Sequence, residues 1–119
     1  MRIGELAERT GLSVDAIRFY EKKGLLNGNH LRRQENNYRN YTEQAVTRLK
    51  RIQQAKRLGF TLKEIQTEID AWESNQLSAA EKVMLLESKV LLINEQIEAF
   101  NQMKAYLQQK IELVRSANS

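Results

Sequence analysis

Apolar residues recur every three or four positions along most of this 119-residue chain, which is the spacing of amphipathic helices. Glycines and helix-capping residues interrupt the pattern at intervals, so it divides into five separate helices. The predicted helices end near Thr10, near Lys23, before Gly59, near Trp72 and near Val114. Because the chain has no proline and only 5 glycines, its composition also favours helix over sheet.

Several residues mark where these helices begin and end. Gly11 can adopt the left-handed backbone that ends a helix, and Ser13 and Thr42 stand where the following helices need an N-cap. Residues 61–64 and 78–81 both have the form of a capping box, with a hydroxyl residue first and glutamate fourth. The second box begins a helix that no proline or glycine interrupts.

The segment from Leu26 to Tyr41 lacks the helical period, and asparagine-rich turn signals at residues 27–28 and 36–37 flank its polar part. It is interpreted as a loop or short hairpin, that is, a wing. His30, the single histidine, lies in it without a neighbouring ligand, so we expect a solvated loop residue rather than a metal site.

The third helix should turn its apolar positions 46, 49, 52 and 55 inward. Its basic side chains are expected outside: Arg48, Lys50, Arg51, Lys56 and Arg57.

The fifth helix carries a regular heptad pattern of apolar residues. The preceding elements are too short to cover a helix of this length, so its apolar stripe needs a partner helix, and a second copy of the chain is the simplest one. The residues assigned to dimerisation, called here the heptad stripe, are Val83, Leu86, Val90, Ile93, Ile97, Phe100, Leu107 and Ile111.

Charge is distributed unevenly along the chain. Residues 1–60 carry 13 Lys and Arg against 6 Asp and Glu, whereas residues 61–119 carry 6 against 9. This asymmetry is expected if only the first half meets a polyanion such as nucleic acid, although an ordinary solvated basic surface would look the same.

The composition also limits the possible functions. With no cysteine, thiolate sensing of copper, mercury or zinc is excluded for these residues. The chain has one histidine and no glycine-rich phosphate loop, so an enzyme is set aside, and neither a cofactor nor a metal is expected. There is no apolar run of membrane-spanning length and no signal peptide, which predicts a cytoplasmic protein. Few residues follow the fifth helix, so no separate effector-binding domain is expected.

Ala7, Gly11 and Ile17 stand where a helix-turn-helix needs a small residue, a left-handed turn residue and a β-branched residue. Together with the Ser13 cap, the basic half and the pairing helix, they indicate DNA binding. The predicted fold is all-α with a small β wing. A winged helix-turn-helix head covers residues 1–74, and a coiled-coil dimerisation helix covers residues 75–119.

Six short motifs resemble the MerR family of transcriptional regulators, and they occur in order over residues 1 to about 72. They are IGELA (3–7), GLSV (11–14), IRFYE (17–21), GLL (24–26), YRNY (38–41) and LGFTLKEI (58–65). The resemblance implies a homodimer joined by an antiparallel coiled coil. It further implies two recognition helices in successive major grooves of a pseudo-palindromic promoter, with the wings on the flanking backbone. Family members typically distort an over-long promoter spacer so that RNA polymerase can engage it.

The resemblance also implies a set of DNA contacts, largely to phosphates. Arg18 and Tyr20 on the second helix and Tyr38 and Arg39 on the wing are the main ones, although packing within the head is the favoured interpretation of Tyr20. Tyr41 is assigned to the core. The full predicted contact set is Arg2, Ser13, Val14, Asp15, Arg18, Phe19, Tyr20, Lys22, Arg32, Arg33, Tyr38 and Arg39.

This chain departs from the family pattern at several positions. Asp15 and Ala16 replace the arginine and threonine of many relatives; aspartate repels phosphate but can accept from cytosine N4. Asn37 stands where the wing usually has glycine. The segment before Arg32 is longer than usual and lacks the common prolines. Ala79 stands near the place where thiol-sensing relatives have a cysteine.

Three hypotheses follow from the sequence. The first is a promoter-binding regulator whose effector, operator and sign of regulation are unknown. The second is an architectural or excisionase-like protein with the same head and no transcriptional effect. The third is a coiled-coil interaction protein whose head has lost DNA binding, for which Asp15 is the only hint.

Overall fold

The computed structural model describes residues 1–33 and 39–118. Its elements, in chain order, are α1 (Ile3–Thr10), α2 (Val14–Lys22), β1 (Leu31–Arg33), β2 (Arg39–Tyr41), α3 (Glu43–Arg57), α4 (Leu62–Glu73) and α5 (Ala79–Ala117). The prediction of an all-α fold with a small β wing is confirmed, and each helix ends within three residues of its expected position. Two compact units make up the fold, the head (Met1–Ser74) and a second unit (Asn75–Ser119).

The helix-turn-helix is formed by α1 and α2. Gly11 takes the left-handed conformation with a φ of 74°, and its N–H donates to the Ala7 carbonyl at 2.8 Å. Ser13 then caps α2, its hydroxyl oxygen accepting from the Ala16 N–H at 3.0 Å. Ile17 of α2 is fully buried, so the turn holds the two helices on one core.

The described residues of the head form one apolar core to which helices α1 to α4 all contribute, because each helix turns its apolar stripe inward. Among the described residues, the buried apolar side chains are Leu6, Ile17, Leu25, Leu26, Tyr41, Ala45, Val46, Leu49, Ile52, Ile65 and Ile69. Tyr41 was assigned to the core from the sequence, and this is confirmed.

The wing is the antiparallel pair β1 and β2, in which Leu31 pairs with Tyr41 and Arg33 with Arg39. Alternation along the strands places Tyr41 in the core and leaves Arg32 and Asn40 exposed. The asparagine turn at residues 36–37, including the position that replaces glycine, lies outside the described residues.

Thr42 precedes α3 as predicted, but its side chain does not cap the helix. Its hydroxyl instead donates to the Asn29 carbonyl at 2.9 Å, and its N–H donates to the His30 carbonyl. The expected cap is therefore wrong at this residue, because the hydroxyl ties the wing's base to the start of α3.

The prediction that Arg48 faces solvent is wrong: its side chain is only 2% exposed. Its Nε donates to the Leu25 carbonyl at 2.9 Å, and its two Nη atoms donate to Asp70 at 2.7 Å and Glu73 at 3.0 Å. A buried guanidinium needs such partners to offset its lost hydration. The helical spacing already indicated burial, because position 48 is three residues after the buried Ala45 and four before the buried Ile52 and so lies on their face of the helix.

His30 is also not the solvated residue expected from the sequence, because its side chain is buried. Its Nδ1 accepts from the Asn27 N–H at 3.0 Å, which closes the turn before β1. Burial lowers the pKa of His30, and the nearby Arg48 cation lowers this pKa further. Within the described part of the chain, no group of side chains is suited to hold a metal ion.

The fifth helix, α5, contains 39 residues and begins at the predicted capping box of Ser78 and Glu81. At 1.5 Å per residue its length is about 58 Å. None of its side chains is buried in the single chain. Every residue of the heptad stripe is between 41% and 67% exposed. No described helix has both the length and the apolar character needed to cross a membrane.

Candidate nucleic-acid interface

The helix α2 has two distinct faces. Ile17 anchors the inner face in the core, and Val14 and Tyr20 are half-buried on its flanks. The outer face consists of exposed residues at helical spacings of three, four and seven: Asp15, Arg18, Phe19 and Lys22. This outer face combines two cations, one carboxylate and one aromatic ring.

Aromatic side chains lie at the centre of this helix. The Phe19 ring is 45% exposed and meets the Tyr20 ring edge-to-face, with centroids 5.7 Å apart. Lys23 Nζ lies 5.5 Å from the Phe19 centroid, within cation–π range. Tyr20 packs against the core, in agreement with its favoured interpretation, whereas Phe19 is not needed there. An exposed ring flanked by cations is well suited to contact a base or sugar.

The wing meets α2 through the carboxylate of Glu21, which is not among the contacts predicted from the sequence. Glu21 Oε1 lies 3.1 Å from Arg39 Nε, and Glu21 Oε2 accepts from the Tyr41 hydroxyl at 3.3 Å. Burial raises the pKa of the Tyr41 phenol, and the Glu21 carboxylate raises it further. The available signal was that Glu21 comes four residues after Ile17 and so shares its inner side, where a carboxylate needs a partner.

The remaining predicted contacts take varied positions. Arg2 is exposed at the N-cap position of α1, and Arg32 is exposed on β1. The hydroxyl of Ser13 is already used as the helix cap. Arg33 belongs to β1 and pairs with Arg39 across the wing, and Tyr38 lies outside the described residues.

Arg18 and Arg39 differ in how they are held. Arg18 is exposed and makes no ion pair with another residue in the described ranges. Arg39 is 36% exposed and paired through Nε with Glu21. A cation on α2 and a cation on the wing are thus both accessible in the head, and guanidinium groups bind phosphate through paired N–H donors.

Two family models match this chain. One is described as MerR HTH family regulatory protein and matches residues 1–72, and the other is described as MerR, DNA binding and matches residues 46–110. This chain belongs to the MerR family. These two matches confirm the resemblance inferred from the sequence motifs.

Individual relatives extend the match beyond the head. The HTH-type transcriptional regulator CueR of Escherichia coli O157:H7 is 36% identical over 107 residues, covering 90% of this chain and 78% of the relative. A probable heavy metal-dependent transcriptional regulator of Haemophilus influenzae is 34% identical over 108 residues, covering 91% of this chain and 83% of the relative.

Solved structures of MerR regulators agree with the fold. The transcription regulator PbrR691 from Ralstonia metallidurans CH34, in complex with lead(II), matches with a TM-score of 0.81 and 28% identity, covering 92% of this chain and 84% of that one. HiNmlR, a MerR family regulator lacking the sensor domain and bound to promoter DNA, matches with a TM-score of 0.64 and 28% identity, covering 91% and 78%.

Membership of the MerR family makes this chain a DNA-binding transcriptional regulator. The architectural or excisionase-like alternative is not favoured, because the relatives are transcriptional regulators. The exposed outer face of α2 also counters the suggestion that Asp15 marks a head without DNA binding, since Arg18 and Lys22 stand beside it.

Proposed function

We propose that this MerR regulator acts as a homodimer that places one α2 in each of two major grooves of a pseudo-palindromic promoter, with its wings on the flanking backbone. The observation that carries the proposal is the outer face of α2, where Arg18, Phe19 and Lys22 are exposed. The buried Ile17 on the opposite face holds the helix in the core, so this outer face is free to enter a groove. Recognition helices of this kind reach base edges with their N-terminal residues.

The head offers phosphate contacts on both elements that would border the groove. Arg18 and Lys22 lie on α2, and Arg32 and Arg39 lie on the wing strands. Arg33 and Tyr38 stay predicted members of this set. Contacts of this type set the position of the protein on the duplex and make affinity depend on salt.

Asp15 is the proposed reader of sequence on this face. It is exposed in the first turn of α2, and its carboxylate can accept a hydrogen bond from cytosine N4 but repels phosphate. We therefore place it against a base edge rather than the backbone, with Val14 beside it.

The homodimer is proposed from the exposure of α5. A soluble helix with an uncovered apolar stripe of this length is stabilised by a matching helix, and the heptad spacing suits a coiled coil. Antiparallel pairing is what the MerR family implies. Two-fold symmetry of the dimer would then match the symmetry of the operator.

Control of transcription follows from this arrangement. A dimer that holds both half-sites at a separation set by its own coiled coil can bend or untwist the DNA between them. We propose that this distortion aligns an over-long promoter spacer for RNA polymerase.

The experiment begins with selection of bound fragments from the native genome, followed by gel shifts with the full chain. Arg18→Ala and Arg39→Ala should each weaken binding. Each should also reduce the slope of log affinity against log salt concentration by about one, the value expected for the loss of one phosphate contact. Arg57→Ala removes an exposed cation outside the proposed interface and serves as the matched control. Transcription from a selected promoter with purified RNA polymerase should change when the protein is added. Equal losses in all three variants would contradict the residue assignments.

A further inference from the structure

Glu21 is, with Asp15, one of two carboxylates in an interface whose other charged side chains are cationic. It is the penultimate residue of α2, and its side chain is only 14% exposed. Both of its oxygens are engaged, with Arg39 at 3.1 Å and the Tyr41 hydroxyl at 3.3 Å. Both partners belong to β2, so this one side chain joins the recognition helix to the wing.

The two partners of Glu21 are held very differently. Tyr41 is buried in the core, which fixes the end of β2. Arg39 is 36% exposed, and the contact with Glu21 uses Nε. A guanidinium carries four more N–H donors on its two Nη atoms, so the pairing orients the group while leaving further donors for a phosphate.

We infer that Glu21 is a positioning residue for DNA binding: it sets the wing against the recognition helix and orients Arg39 towards the phosphate backbone. This inference rests on the proposed function. The residue itself contacts no DNA, and it acts through Arg39 and the position of β2.

Charge alone leads to the opposite expectation. A carboxylate close to phosphates repels them, so its removal should tighten binding if Glu21 had no positioning role. If it does orient Arg39, its removal should weaken binding despite the favourable change in net charge. Weaker binding after removal of Glu21 therefore indicates positioning, and tighter binding indicates simple repulsion of phosphate. If the ion pair only stabilised the fold, the effects of Glu21→Ala and Arg39→Ala on DNA affinity would not depend on each other.

The test compares Glu21→Ala, Arg39→Ala and the double variant in the full chain, by gel shift on a selected genomic fragment over a range of salt concentrations. Glu43→Ala is the matched control. Glu43 also forms a pair with an arginine, Arg9, at 2.7 Å, but that pair joins α1 to α3 rather than α2 to the wing. Melting temperatures of all variants establish that each is folded at the temperature of the assay.

Glu21→Ala should weaken binding by about three- to thirtyfold, which lies within the range of coupling between residues in direct contact. Because part of its effect passes through Arg39, Glu21→Ala should cost less affinity in the Arg39→Ala background than in the unaltered chain, and Glu43→Ala should bind as well as the unaltered chain or slightly better. The inference would be overturned if Glu21→Ala bound as tightly as the unaltered chain or more tightly, or if the two single losses multiplied in the double variant. Either result would leave the proposed function intact. Failure of the unaltered chain to bind any fragment would overturn the proposed function as well.

Discussion

The head and α5 are both built from amphipathic helices, but the apolar faces are buried in the head and exposed in α5. In the head, apolar residues from all four helices close on one core, and the buried Arg48 has three hydrogen-bond partners. In α5, no side chain is buried although the heptad stripe runs along the helix. The same periodicity therefore produces a buried core in the head and an exposed apolar stripe in α5.

Removal of the buried cation should have the largest effect on the head. Arg48→Ala leaves Asp70 and Glu73 without their shared partner and the Leu25 carbonyl without a donor. We expect the free energy of unfolding to fall by about 2–4 kcal/mol, because the Leu25 carbonyl loses its donor and Glu73 is only 22% exposed, whereas Asp70 is 73% exposed. Urea denaturation at a fixed chain concentration measures this change.

The control for this prediction is Arg51→Ala. Arg51 Nη1 also lies 3.5 Å from Glu73 Oε1, but the Arg51 side chain is 46% exposed. This contact is not a hydrogen bond, since Glu73 Oε1 has no hydrogen-bond partner among the described residues. Removal of Arg51 should cost at most about 1 kcal/mol. Equal losses from the two variants would show that burial of Arg48 does not decide the stability of the head.

Truncation of the heptad stripe should affect association rather than the fold of the head. Phe100→Ala is expected to cost at least about 2 kcal/mol of dimer stability, which is about a thirtyfold rise in the dissociation constant. Sedimentation measures this constant directly. Gln102→Ala, two residues further on and outside the stripe, is the control. A Phe100→Ala variant that dimerises normally would contradict the proposed role of the stripe.

A smaller effect is expected where α1 ends. Gly11 has a φ of 74°, and a side chain in this conformation costs about 1–2 kcal/mol although no heavy atom lies within 4 Å of the added carbon. Gly11→Ala should lower thermal stability by this amount. Gly4→Ala, which is within α1 and equally uncrowded, should instead raise stability by about 0.4–1 kcal/mol. The same sign for both variants would contradict this explanation.

The smallest effect concerns pH. Because burial and Arg48 lower the pKa of His30 in the folded chain, the unfolded chain takes up this proton first as pH falls. The contribution of His30 to stability is complete above about pH 6.5 and decreases below it, towards the lowered pKa of the folded state. Melting temperature between pH 7 and pH 5 should fall more in the unaltered chain than in His30→Asn, whose amide oxygen can still accept from the Asn27 N–H. Identical profiles would show that His30 does not contribute to the pH dependence of stability.

Most of the local structure was predictable because its causes are local. A glycine at position 11, a serine at 13 and two capping boxes act within one helical turn, and periodicity identified the core face of each helix. Thr42 shows the limit of this reasoning. The residue type was correct for a cap, but its hydroxyl meets the Asn29 carbonyl, which comes near only after folding.

The candidate interface was predicted in outline for the same reason. The exposure of Arg18, Phe19 and Lys22 follows from the position of Ile17 on the same helix. Glu21 was missed because its importance depends on Arg39 and Tyr41, which lie about 20 residues further along the chain. No local pattern reports a pair across that distance.

The sequence by itself determined the family, the five helices, the wing and the apolar stripe of α5, because short-range spacing and motifs carry that information. Only the tertiary structure decided which polar groups are buried together. Arg48 joins Leu25, Asp70 and Glu73, and Glu21 joins α2 to the wing. A charged side chain can be buried only where partners from distant segments converge on it, and that convergence is a property of the folded chain.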